Sequence, residues 1–109
     1  MKDDRLYLAH MLEAADRLLV YAKDGDKVFR SDLKTQDAVI RNLQVLGEAV
    51  KKVSAETRTT HPEIPWRDIA GMRDRVVHDY FGISLDIVWD VLQNHIPPLR
   101  EKLAQLLNR

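Results

Sequence analysis

Cysteine is absent from the 109 residues. That removes disulfides, thiolate catalysis and cysteine-ligated zinc from consideration, and makes a reducing cytoplasm the natural home. Glycine and proline number only four each, too few for a disordered or loop-dominated chain. No stretch approaches the roughly 20 apolar residues of a membrane span. The opening MKDDRLYLAHMLEAADRLL carries acids where a signal peptide needs basic residues followed by an apolar run. The sequence therefore reads as neither membrane-spanning nor exported. An excess of one charge is also missing, because 17 Lys and Arg balance 17 Asp and Glu, so no global field draws nucleic acid in. This argues against a DNA-coating protein. It leaves room for an enzyme that grips RNA briefly through a few arginines, or through a groove assembled from two subunits.

What is present is helix. Hydrophobic residues make up 45% and charged ones 31%, and the length predicts one domain, residues 1–109, with a single core. Leu8, Met11, Leu12, Ala15, Leu18, Leu19 and Ala22 recur at three-and-four spacing, with Asp3 or Asp4 as N-cap and Gly25 as a stop. A second and longest helix opens after Ser31-Asp32 and sets Val39, Leu43, Leu46, Val50 and Val53 on one stripe, away from Arg41, Gln44 and Glu48. Its other line, Asn42, Val45 and Ala49, faces either a second subunit or the first helix.

A short helical turn in SAETRT precedes HPEIP, a loop enforced by two prolines that lack a donor and disfavour helix before them. Pro65 suits the first position of the next helix, in which Ile69, Met72 and Val76 form the buried line. Gly82 is expected to end DYFG, and Ser84 to cap a helix with Val88, Trp89, Leu92 and Ile96 inward. Pro97-Pro98 is expected to kink or break that helix, with Leu99, Leu103 and Leu106 continuing beyond it. No strand pattern or repeat competes, so the fold class is all-α.

One segment, RDRVVHDY (73–80), carries the residues of a metal-free phosphodiester chemistry. Such a reaction needs a group to manage the proton on the 2′-hydroxyl or on the leaving oxygen, and a fixed cation for the charge that builds on phosphate. An unperturbed imidazole titrates near 6.5, and arginine stays charged and offers a planar fork to two phosphate oxygens. Arg73 and His78 are such a pair. Five residues at about 100° each separate them by roughly 140° around a continuous helix. Either the helix ends before His78 and the chain turns back, or the pair is completed by a second copy in a dimer. Asp74, four residues before His78, is placed to orient the imidazole or raise its pKa. By spacing alone, a solvated arginine and a helix-end histidine favoured by the dipole are the commoner reading.

The pattern R-x4-H-x-Y resembles the motif of the HepT toxins of the HEPN superfamily. IRNLQVLGEAVKKVS, HPEIPWRDIAGMRDRVVHDYFGI and LDIVWDVLQNHIPPL are similar to that family's successive core blocks, so the resemblance covers roughly residues 5 to 107. It implies an up-and-down helical bundle that forms a homodimer or a higher assembly. It implies the toxin half of a toxin–antitoxin pair, a metal-independent endoribonuclease whose catalytic residues are Arg73 and His78. It also implies a nucleotidyltransferase antitoxin of the MntA type, which transfers AMP onto the motif tyrosine, here Tyr80. Phosphate charge and bulk two residues from His78 would block the cleft that must receive RNA. The competing reading is a non-catalytic helical module that docks a nucleotidyltransferase.

The remaining candidates are weaker. His10, His61, His78 and His95 share no metal-ligand spacing, so neither a metal nor another cofactor is expected. Trp66 and Trp89 fit core packing better than base stacking. Arg67 and Arg75 flank the motif and either extend a phosphate grip or are solvated, with Asp68 and Asp74 nearly cancelling them. Gly47 inside the second helix costs about 1 kcal/mol against alanine, which points to another helix passing close. Glu48 beside it either makes an interaction across the bundle or is solvated.

Overall fold

The computed structural model describes the backbone of residues 2–78 and 84–108, and the side chains of residues 3–76 and 84–108. The roles expected of Tyr80 and Gly82, and the placement of the His78 imidazole, lie outside the described residues. In order come α1 (Lys2–Ala22), α2 (Gly25–Ser31), α3 (Leu33–Lys52), α4 (Ala55–Thr60), α5 (Trp66–His78), α6 (Leu85–Asp90), a π-helical turn (Val91–His95) and α7 (Ile96–Leu106). Among the described residues there is no strand, and the fold is an all-α up-and-down bundle. The central helix is α3, which packs against both α1 and α5, while α7 lies along α1.

The apolar periodicity accounts for the packing. Leu8, Met11, Leu12, Ala15 and Leu18 of α1 are buried, as are all five residues of the α3 stripe. Asn42 and Ala49 of the second α3 line are buried within the chain itself, and the Asn42 amide donates to the Ala38 carbonyl at 2.9 Å. On α5, Ile69 and Val76 are buried, and Met72 is only partly so. Asp32 caps α3, accepting from the Lys34 N–H, and Ser84 caps α6 by accepting from the Ile87 N–H. Gly25 adopts φ 90° in the α1–α2 turn, a conformation that glycine reaches without a Cβ penalty.

Three local features differ from the expected pattern or add to it. Asp4 does not cap α1, because the helix already includes it in its first turn. Its buried carboxylate instead reaches the start of α4, accepting from Ser54 N at 2.9 Å, Ser54 Oγ at 2.6 Å and Thr57 Oγ1 at 2.6 Å. Next, Gly25–Ser31 forms a helix of its own. It is pinned by Phe29, which is buried and stacked on Trp89 at 5.6 Å between ring centroids, and by the Gln36 amide, which donates to the Phe29 and Arg30 carbonyls. Finally, of the kink or break expected at Pro97-Pro98, the break does not occur, and the distortion is taken up by the π turn before them. The turn before them widens so that the Ile96 N–H bonds to the Val91 carbonyl, which accommodates two rings that lack N–H groups and crowd the carbonyls of the preceding turn.

Candidate active site

The site is built where α5 crosses α3. Gly47 is buried in α3, and Arg73 projects from α5 directly against it. A Cβ at position 47 would overlap the Arg73 Cβ, lie 2.7 Å from its Cγ and sit 3.2 Å from the Ile69 carbonyl oxygen. Only a glycine lets the two helices meet this closely, and the atoms in the way are the stem of the arginine and a backbone carbonyl. The glycine that looked costly in a helix thus marks the crossing point.

The guanidinium lies between two carboxylates. Arg73 Nη1 is 3.3 Å from Asp74 Oδ1, and Nη2 is 3.8 Å from Glu48 Oε1. The second distance is an ion pair without a hydrogen bond, since a separation beyond about 3.5 Å is too long for one. The Arg73 side chain is 27% exposed. Its Nε is buried without a hydrogen-bond partner, the one such side-chain atom among the described residues. An unsatisfied buried donor costs on the order of 1–3 kcal/mol, so the Nε marks a strained or incompletely partnered point of the crossing.

Asp74 Oδ1 also accepts from Lys51 Nζ at 2.6 Å. That hydrogen bond, reinforced by Arg73, holds the Asp74 carboxyl below its ordinary pKa. The described partners of Asp74 are therefore Lys51 and Arg73, and its relation to His78 lies outside the described side chains. Lys51 was not singled out in the sequence. Its one signal is that positions 47, 48 and 51 share a side of α3 at three-and-four spacing.

The backbone of α5 is helical through His78, so the chain does not turn back before the histidine. Positions 73 and 78 are separated by about 140° around the axis and about 7.5 Å along it. Arg67 lines an open hollow of about 690 Å³ between α4 and α5, together with Arg58, Thr59, Trp66, Gly71 and Asp74. On the other side of α5, Ile69 and Met72 join Leu43, Leu46, Ile96 and Leu99 around an apolar cavity of about 430 Å³. Arg75 is exposed.

Both tryptophans serve packing. The Trp66 indole donates to the His61 carbonyl at 2.9 Å, and Trp89 stacks on Phe29. His61 and His95 lie beside Glu63 and Asp90, each at 3.4 Å. Among the described residues no three His, Asp or Glu side chains gather as a metal site, and no helix is long and apolar enough to cross a membrane.

The comparisons with known proteins agree with this architecture. The family described as "Ribonuclease HepT-like" matches residues 11–106, nearly the whole chain. The chain belongs to this HepT-like family of the HEPN superfamily. It is 39% identical over 108 residues to a Methanocaldococcus jannaschii protein named "Gamma-glutamylcyclotransferase and putative RNase", of which it spans 48% against 97% of its own length. It is 36% identical over 110 residues to a "Putative RNase" of Caldanaerobacter subterraneus, covering 100% of this chain and 98% of that one. It is 39% identical over 101 residues to the "Probable ribonuclease HepT" of Thermococcus cleftensis, covering 92% of each. No solved structure matches the chain.

Proposed function

We propose that the chain is a metal-independent endoribonuclease, the toxin of a toxin–antitoxin pair, with Arg73 and His78 as its catalytic residues. The observation that carries this reading is Arg73. A permanently charged guanidinium is wedged on Gly47, is partly exposed, and among the described residues meets its two carboxylates loosely, at 3.3 and 3.8 Å. A cation held this way has hydrogen-bonding capacity to give to a phosphate.

In the proposed reaction the 2′-oxygen of RNA attacks the adjacent phosphorus, and the bond from phosphorus to the 5′-oxygen breaks. The imidazole of His78 moves the proton, either from the 2′-hydroxyl or to the departing 5′-oxygen. Arg73 stabilises the charge on the phosphoryl oxygens as it builds. Asp74 supports the site, and its ion pair with Lys51 keeps its carboxylate in place. Because α5 is helical through His78, we assign completion of each Arg–His pair to a homodimer. We further propose that a nucleotidyltransferase partner of the MntA type silences the toxin by placing AMP on Tyr80.

Expression of the lone chain beside Arg73→Ala and His78→Ala, with RNA integrity as the readout, tests the assignment. Wild type should degrade RNA and arrest growth, and both variants should be inert while remaining folded. Full activity in either variant would refute the site, and a harmless wild-type chain would favour the non-catalytic docking module. Intact mass after co-expression with the partner should show one added AMP, absent from Tyr80→Phe.

A further inference from the structure

We infer that Glu48 is a positioning residue for Arg73, an inference that rests on the ribonuclease reading above. Three residues on one side of α3 divide the work of holding this arginine. Gly47 admits its stem, Lys51 occupies Asp74, and Glu48 stands 3.8 Å from Nη2. The two ends of the guanidinium are drawn to carboxylates on different helices, Nη1 to Asp74 of α5 and Nη2 to Glu48 of α3. Neither carboxylate engages it in the two-bond fork that would consume its donors.

The position of Glu48 is no accident of a long side chain, because it follows the glycine on which the arginine stem rests. Glu48 is exposed, with about half of its side chain open to solvent, so its contribution to folding is small, as for surface ion pairs generally. What it supplies is direction. Without it, Arg73 retains one described anchor, the neighbouring Asp74, and the head is free to swing away from α3. An arginine displaced by about 1 Å loses much of its value to a transition state, and such shifts can lower rates by up to about a hundredfold. A carboxylate beside an RNA phosphate repels it, so removing Glu48 should not weaken substrate binding.

The experiment compares wild type with Glu48→Ala on three readouts. Hydrogen exchange of the buried Arg73 Nε–H, followed by NMR of the arginine side chains, should speed by about tenfold when the head is released. The kcat for RNA cleavage should fall by about tenfold, with KM unchanged or lowered. The Tm should stay within about 2 °C of wild type, because an exposed pair adds little stability. Unchanged Nε–H exchange, unchanged kcat, or a loss confined to KM would each overturn the inference. So would a fall in activity that merely tracks a fall in Tm. Arg73→Ala measured alongside separates the two levels. If it cleaves like wild type, the ribonuclease site is wrong, and if it is dead while Glu48→Ala is normal, only the role of Glu48 fails.

Discussion

Replacing Gly47 by alanine sets two effects of known sign against each other. In an unobstructed helix the change stabilises by about 1 kcal/mol, because alanine loses less backbone entropy. Here the new methyl would overlap the Arg73 Cβ, with the Arg73 Cγ at 2.7 Å and the Ile69 carbonyl at 3.2 Å. None of these is the tip of a flexible side chain, so relief requires α5 to move off α3. Overpacking of this kind costs roughly 1–3 kcal/mol, and the obstruction falls on stem and backbone atoms, which places it in the upper part of that range. A net destabilisation of about 1–2 kcal/mol follows, a fall in Tm of about 4–15 °C for a domain of this size. Gly71 is the internal control, since a Cβ there meets nothing within 4 Å. Gly71→Ala lies within the same bundle, on α5, and should raise stability by up to about 1 kcal/mol. Thermal and urea unfolding followed by circular dichroism would measure both. A Gly47→Ala chain as stable as wild type, or stabilised to the same degree as Gly71→Ala, would refute the close crossing. Cleavage should drop in Gly47→Ala beyond what unfolding explains, because the displaced element carries Arg73.

The helices that were legible in the sequence are those with enough turns to show a period. The run from Leu8 to Ala22 and that from Val39 to Val53 repeat their apolar positions over several turns, and these are buried except for Leu19 and Ala22, which are partly so. The α2 helix has seven residues and a single buried anchor, Phe29, whose stacking partner Trp89 lies 60 positions away, beyond any local pattern. Asp4 shows the same limit for polar groups. Its local signal was that of a helix start, but its donors come from Ser54 and Thr57, a long-range choice that only the assembled bundle makes. The prolines at 97 and 98 were read for what they forbid, the regular hydrogen bonds of an α-helix, and a π turn satisfies the same restriction without a break. At the site, the glycine in α3 foretold a close neighbour because its cost needed a compensating contact, yet nothing local could say that the neighbour was Arg73. Glu48 was left between an interaction across the bundle and solvation, and its 3.8 Å pairing with Arg73 is the first of these, whereas Lys51 was invisible as a site residue, an ordinary charge until α5 is laid across it.

Two further outcomes bear on the fold and on the proposed pairing. The hydrogen bonds from Ser54 and Thr57 hold the Asp4 carboxyl below its ordinary pKa. Its contribution to stability is therefore complete above the unfolded value of about 3.9 and is lost as the pH falls through the lower folded value. Asp4→Ala should cost about 1–3 kcal/mol at neutral pH by stranding those donors, and should flatten the acid limb of a pH–stability curve. A curve parallel to wild type below pH 4 would refute the role. The proposed dimer makes its own demand, because α5 continues as a helix through His78 and leaves positions 73 and 78 about 140° apart. If each site takes its arginine from one subunit and its histidine from the other, an Arg73→Ala subunit paired with a His78→Ala subunit contains one intact site. Refolding the two inert variants together should then restore about one quarter of wild-type cleavage, since half the dimers are mixed and each carries one working site of two. If both residues served the same site from one chain, every mixed dimer would be broken at both sites. The mixture would then stay as inactive as its components, and pairing across the dimer would be ruled out.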